Sequence, residues 1–409
     1  MTRRSQDEGR PVTVAFSDYN QKMNSQSSST TFDSGFFHKG WHAAIWQCLS
    51  RVLIILLSLE AGVVNATAES HTSAYVTNVS GTVSVIDTTD NTVLATIPVG
   101  LFPSGVAITP DGARIYVTNI FNSISVIDAA TNSVVATIPS GQFPTGIAIT
   151  PDGTRAYVVN QFVTIQGNNT VSVINTMTNA IVAAIPVGLG PSQIAITPGG
   201  TRAYVPNQQD FIISVIDTAT NTVVTTIPLS GGAGIAITPD GTQAYVTSPG
   251  AGTVSVIDTA TNAMAATISL GTNQNPFGVA ITPDGTRAYV TISFPNNFVS
   301  VIDTATNTVV ATIPVGVAPN GIAITPDGTR AYVTDNGSDT VSVIDTTNNT
   351  VIATVVVEVG PIAVAITPVP KTPKDKEQCK HHGYSNFGRP AGPFKNQGQC
   401  VSYVEHHKT

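Results

Sequence analysis

Residues 146–160 read Gly146-Ile-Ala-Ile-Thr150, Pro151-Asp-Gly-Thr-Arg155, Ala156-Tyr-Val-Val-Asn160. Two short β-branched runs flank a Pro-Asp-Gly turn, which is the signature of an antiparallel hairpin. After a loop come Val171-Ser-Val-Ile174, a turn over Asn175 to Asn179, and Ala180-Ile-Val-Ala-Ala-Ile-Pro-Val-Gly188. The unit thus holds four short runs, each bounded by Pro, Gly, Asp or Asn. None is long enough, or periodic enough at 3.6 residues, to be a helix.

The same unit recurs along the chain. Its strand tyrosine stands at Tyr75, Tyr116, Tyr157, Tyr204, Tyr245, Tyr289 and Tyr332, at spacings of 41, 41, 47, 41, 44 and 43. Periods of this length with four strands each predict an all-β fold, a seven-bladed β-propeller of four-stranded blades. The repeat region opens on a second strand at Tyr75 and closes on an unpaired first strand, Ile362-Ala-Val-Ala-Ile-Thr367. That C-terminal strand is predicted to complete the first blade, closing the ring and removing an open edge. The predicted organisation is an N-terminal region with a targeting segment (1–68), the propeller (72–368) and a tail (371–409).

The repeats resemble those of the YVTN-family β-propellers. The name is spelled at Tyr75-Val-Thr-Asn78 and Tyr116-Val-Thr-Asn119, with Ser84-Val-Ile-Asp87 and Ile108-Thr-Pro-Asp-Gly112 as companion motifs. The resemblance covers about 300 of the 409 residues and implies a secreted or cell-surface protein of bacterial or archaeal type. It implies little about activity. Departures are Asn175 for the Asp of Ser-Val-Ile-Asp, Gly199 for the Asp of Pro-Asp-Gly, and Ile292 and Asp335 for the final Asn of the motif.

Charge narrows the function classes. Only 11% of the residues are charged and the net charge is −7, so no basic face for nucleic acid is expected. The propeller carries 16 acids and five Arg, with no Lys, His or Cys. Eleven of the acids fall in the two repeated turns, where a carboxylate accepts backbone N–H bonds. The five Arg follow Pro-Asp-Gly-type turns and are expected to pair locally. Asp335-Asn-Gly-Ser-Asp339 reads either as an ordinary Asx-turn or as a fragment of an oxygen-ligand calcium loop, with the turn favoured. No catalytic residue, resident metal or cofactor is assigned, because the usual acid–base and nucleophile pairs are missing.

The turns between first and second strands and between third and fourth strands share one face and hardly vary. The opposite face takes every length change and all eight propeller phenylalanines: Phe102, Phe121, Phe143, Phe162, Phe211, Phe277, Phe294 and Phe298. Carboxamides crowd around them. Exposed aromatics beside adaptable amides suit a protein, peptide or glycan partner, and Asn119, Asn160, Asn207 and Asp335 join the candidate set. The competing reading packs the Phe rings onto the blades or into the channel mouth.

The ends differ from the middle. Val52 to Leu59 has the length of a signal-peptide apolar core, and Ala66-Thr-Ala68 offers a cleavage pattern, although 51 residues precede the core. Met23 is an alternative start, and a signal-anchor helix over 43–64 is the alternative reading. No stable membrane span is expected after cleavage. The tail is similar to a short Cys-pair tail found on exported bacterial proteins; with export expected and Cys48 left in the removed segment, Cys379 and Cys400 read as a disulfide, with a zinc site using Cys379, His382, Cys400 and His406 as the alternative. Two functions follow as expectations: an exported, non-enzymatic propeller that binds through its Phe/Asn-rich face, or a lactonase- or lyase-like enzyme with Asp210, Asp335 and Glu358 near the channel.

Overall fold

The computed structural model of the protein describes residues 72–161 and 169–369. The targeting segment, Phe162 and the Cys379–Cys400 pair lie outside the described residues. Among the described residues there are 28 strands, numbered β1 to β28 in chain order, and no helix. They form seven four-stranded antiparallel sheets. Six blades are consecutive; the second, for example, is β4 (Pro103–Ile108), β5 (Arg114–Asn119), β6 (Ser123–Asp128) and β7 (Ser133–Pro139). The first blade is β28 (Pro361–Ile366), β1 (Ser73–Asn78), β2 (Thr82–Asp87) and β3 (Val93–Pro98), so the last strand closes the ring as the end-to-end reading predicts.

Sequence explains each layer. The second and third strands are buried almost throughout, because both faces pack on neighbouring blades, and their Val, Ile, Ala and Tyr side chains form seven inter-blade clusters. The outer strand alternates, burying a single Ile such as Ile138 and exposing Val134 and Val135. A bulge against the third strand recurs in every blade, as between Val126 and Ile127 in the second, and bends the unpaired outer edge.

Blade meets blade through two polar clasps. Each tyrosine hydroxyl donates to the side-chain oxygen of an asparagine in the following blade: Tyr75 to Asn132, Tyr116 to Asn179, Tyr157 to Asn221, Tyr204 to Asn262, Tyr245 to Asn307, Tyr289 to Asn349 and Tyr332 to Asn91, at 2.6–3.1 Å. The last pair joins the seventh blade to the first. Every one of these asparagines has a positive φ, between 49° and 63°. Asn tolerates this left-handed conformation better than most residues, and its amide oxygen can still reach outward.

Nearer the axis, Thr118 Oγ1 accepts from Gly105 N–H at 2.7 Å and donates to the Thr145 carbonyl of the next blade at 2.6 Å. Thr77, Thr247, Thr291 and Thr334 do the same. The approach is so close that a Cβ on Gly105 would lie 2.3 Å from the Thr145 carbonyl oxygen. Val159 and Pro206 interrupt this clasp in the third and fourth blades. There Gly146 N–H donates directly to the Ser192 carbonyl, and Ser192 Oγ donates to the carbonyls of Gly232 and Ala233. The inner strands of the next blades round, the fourth and fifth, are short, at β12 (Ala195–Ile196) and β16 (Ile235–Ile237).

The arginines behave less uniformly than expected. Arg114, Arg202 and Arg287 pair within their blades with Asp128, Asp217 and Asp303. Arg155 and Arg330 instead donate to the carbonyls of Thr218 and Thr88 in the next blade. For Arg155 the reason is visible: its cross-strand partner is Asn175 rather than Asp.

Burial pushes the hydroxyl pKa of Tyr75, Tyr245 and Tyr289 from the ordinary 10.0 up to about 12. The folded state therefore holds these protons more tightly, and its stability should fall as pH rises from 10 toward 12. An alkaline titration at 295 nm should show these tyrosines ionising together with unfolding. Removing one hydroxyl by Tyr157→Phe should cost about 1–2 kcal/mol in denaturant unfolding, since it strands the Asn221 acceptor. A free, gradual ionisation near pH 10 with unchanged circular dichroism would contradict the clasp.

Candidate binding face and channel

The inner strands surround an axial channel of about 350 Å³. Its wall takes Ser104, Thr145, Ser192, Ala233, Phe277, Asn320 and Ile362 from the end of each inner segment nearest the loop face. Gln161 and Gln208, which immediately follow β9 (Arg155–Asn160) and β13 (Arg202–Asn207), place its mouth on the face that carries the variable loops. Deeper in the wall stand Val106, Ile147, Ile235, Val279, Ile322 and Val364, one from every blade except the fourth. In the fourth blade the matching position is Ile194, which is buried, and Gln193 beside it lines the wall instead. Among the described residues, no charged side chain lines this channel.

Four carboxamides, those of Gln161, Gln193, Gln208 and Asn320, are half-buried in this wall. Their side chains make no hydrogen bond among the described residues. Partly desolvated amides gain from a partner that supplies both donors and acceptors. The three glutamines all come from the third and fourth blades, where the threonine clasp is interrupted, while Phe277 and Asn320 belong to the sixth and seventh.

The phenylalanines divide. Phe102, Phe121, Phe211, Phe277 and Phe294 are exposed, from 37% at Phe277 to 75% at Phe294. Phe102 and Phe121 form a tilted aromatic pair with centroids 5.7 Å apart. Phe143 is half-buried, and Phe298 is half-buried against the cluster formed by Val254, Val290 and their neighbours. Phe298 thus follows the packing reading rather than the surface one.

Three of these rings stand on unfavourable backbone. Phe102, Phe143 and Phe211 have φ of 51°, 48° and 56°. Phe102 and Phe143 precede the proline that opens the inner strand, a position filled by Gly190 and Gly360 in other blades. Phe211 precedes a third strand, where other blades use Gly81, Asn122, Gly252, Asn297 or Asp339. A bulky residue in the left-handed region is uncommon, and strain of this kind gathers where a contact matters.

Asn119, Asn160, Asn207 and Asp335, expected on the binding face, are buried at the ends of their strands, at 3% exposure or less. The three asparagine amides donate to Ser125, Ser172 and Ser214 on the neighbouring strand. The connection from the preceding blade passes directly over them, so a Cβ on Gly100, Gly141, Gly188 or Gly316 would fall within 3 Å of the side chain beneath. The asparagine motif therefore supports the face from below rather than presenting itself to solvent. The signal that could have shown this is the Ser two residues into the third strand, which recurs diagonally across from each of them.

Asp335 differs in kind. It occupies the asparagine position as a fully buried carboxyl, accepting from Ser342 Oγ at 2.6 Å and Thr340 Oγ1 at 3.3 Å. Its Oδ1, like those of Asn78, Asn119, Asn160 and Asn207, is buried without a partner in normal geometry. Burial raises its pKa from 3.8 to about 6, against the opposing pull of the Ser342 and Thr340 hydroxyls. Asp339 is engaged separately, accepting from Gly360 N–H at 2.8 Å. The two carboxylates thus serve separate bonds, to the neighbouring strand and to the Gly360 connection, and among the described residues neither makes the local backbone bond of an Asx-turn. Among the described residues no cluster of three metal-ligating side chains occurs.

The acids named for the enzyme reading do not converge. Asp210 is exposed and accepts from Leu189 N–H at 2.7 Å, Asp335 is enclosed in its blade, and Glu358 is exposed. None of the three lines the channel.

No protein-family model and no curated protein matches the sequence. Solved structures do resemble the fold. A hydrazine synthase from Kuenenia stuttgartiensis aligns with a TM-score of 0.60 and 26% identity, over 65% of this chain and 90% of that one. A periplasmic gluconolactonase from Pseudomonas aeruginosa gives 0.63 and 18%, over 73% and 100%. A functionally unknown protein from Desulfotomaculum acetoxidans gives 0.64 and 19%, over 72% and 99%. The chain is similar to these in fold, and enzymes are among them.

Two outcomes follow from the geometry. The Asp335 carboxyl binds its proton more tightly folded than unfolded, so its contribution is fully present below about pH 4 and lost as pH rises through 6. Asp335→Asn should remove that slope and raise stability at pH 8 by up to about 2–3 kcal/mol, at roughly 1.4 kcal/mol per pKa unit. Equal pH profiles for the two proteins would contradict this. Phe211→Asn and Phe102→Gly should shift unfolding by less than about 1 kcal/mol, because relief of backbone strain offsets lost contact. A loss of about 3–5 kcal/mol, as for a core aromatic, would show that these rings hold the fold.

Proposed function

We propose that the protein is an exported, non-enzymatic propeller of YVTN type that captures an uncharged protein, peptide or glycan partner at the channel mouth on its Phe-bearing face. The observation that carries this reading is the set of four half-buried, unpartnered carboxamides in the wall of a channel without a charged side chain among the described residues. Exposed Phe102, Phe121, Phe211, Phe277 and Phe294 add contact area on the same face. Aromatic anchors with few rotatable bonds lose little entropy on binding, which favours them at recognition surfaces.

The likeness to a gluconolactonase keeps one enzymatic reading in view. Lactone hydrolysis requires a positioned base or a metal-held water, and the wall offers amides, hydroxyls and aliphatic groups in their place.

The test combines both readings in one set of measurements. The full chain should bind members of a combined glycan and peptide array and leave gluconolactone unhydrolysed with or without added divalent cations. The combined Phe102→Ser, Phe121→Ser and Phe294→Ser variant should lose that binding at least tenfold while keeping its circular dichroism. Metal-dependent lactone hydrolysis, or array binding unaffected by the triple substitution, would overturn the proposal.

A further inference from the structure

We infer that the occupant of the channel is a peptide segment that inserts one uncharged apolar side chain, with its flanking peptide groups held by the carboxamide collar. The inference rests on the binding-face reading and names the class of ligand within it. The wall has two levels. The outer one is hydrogen-bonding: Gln161, Gln208 and Asn320, with Ser104 and Thr145 between them. The inner one is aliphatic: Val106, Ile235 and Ile322 are half-buried, and Ile147, Val279 and Val364 present small exposed edges.

A sugar ring satisfies the outer level and wastes the inner one, since its hydroxyls would be desolvated against Val and Ile without partners. A carboxylate or ammonium group would be worse, with no opposite charge among the described wall residues to meet it. A peptide satisfies both levels. Its N–H and C=O groups match the free amide donors and acceptors, and a Leu or Phe side chain covers the aliphatic ring. The volume agrees: a cavity of about 150 Å³ accepts benzene, so about 350 Å³ holds one large apolar side chain and part of its backbone.

The amide collar is lopsided, and this sets a direction. Gln161, Gln193 and Gln208 lie on the third and fourth blades, and Phe277 on the sixth. The peptide groups are therefore held at the glutamine side, with Phe277 packing against the inserted side chain from the other.

The test uses five defined probes with the full chain, read by ligand-observed saturation-transfer NMR and calorimetry. Four are acetylated, amidated Gly-Ser-X-Ser-Gly peptides with X as Leu, Phe, Lys or Glu; the fifth is cellohexaose. The Leu and Phe peptides should bind at least tenfold more tightly than the Lys and Glu peptides and than cellohexaose. Gln193→Glu, which keeps size and adds a charge to the channel wall, should weaken the Leu peptide at least tenfold and improve the Lys peptide. Gln208→Glu serves as the second variant, expected to act in the same direction, and circular dichroism checks both for folding. Binding of cellohexaose alone overturns the inference while leaving the binding face standing. Binding of no probe by the wild-type chain overturns the inference and the face together.

Discussion

The hydrogen bond from each blade's tyrosine to the left-handed asparagine of the next is the contact on which the ring depends. It is made seven times, and its seventh copy joins the blades at the two ends of the propeller, Tyr332 to Asn91. The bond links a strand buried in one blade to a turn at the rim of the next, so it fixes the angle between sheets as well as their separation. The threonine hydroxyls near the axis provide a second attachment, and the buried Val and Ile clusters fill the space between the two. A closed ring of this kind leaves no inner sheet without a neighbour, and its outer edges are bent by a bulge in every blade.

That constraint divides the surface. The turns that carry the tyrosine-binding asparagines must keep their conformation, so one face is written almost verbatim in every repeat. The opposite face is anchored lower down, where Asn119, Asn160, Asn207 and Asp335 are buried beneath the connections from the preceding blade. Above that level the loops are free to vary in length and residue type. Phe102, Phe143 and Phe211 use this freedom against their own backbone preference, occupying positions where sister repeats place Gly, Ala, Asn or Asp. The threonine clasp fails only in the third and fourth blades, and there the glutamines of the channel wall collect. The interrupted clasp and the glutamine side of the candidate site thus coincide.

The repeat period, the four runs per unit and the orphan final strand made blade number, strand order and ring closure legible from sequence, because strand repetition is a local pattern. The loop positions of Phe102, Phe121, Phe143, Phe211 and Phe294 were legible for the same reason, whereas Phe277 and Phe298 lie within strands. Burial of the motif asparagines was not: an Asn at a strand end reads as a surface residue until the glycine connection above it is placed. Phe298 looked like its neighbours but turns against the blade interior. Arg155 and Arg330 reach the next blade, which requires knowing which turn comes round beside them. The four channel amides come from three different blades and from separate loops and inner segments, so only the closed ring brings them together.

The most direct measurement is backbone hydrogen exchange of the full chain with and without the Leu-bearing peptide at saturation. Protection should appear in the loop-face segments around residues 102–106, 208–212, 274–279 and 317–322, with the opposite turns and outer strands unchanged. Protection confined to the Pro-Asp-Gly turns or to the outer strands would contradict the account.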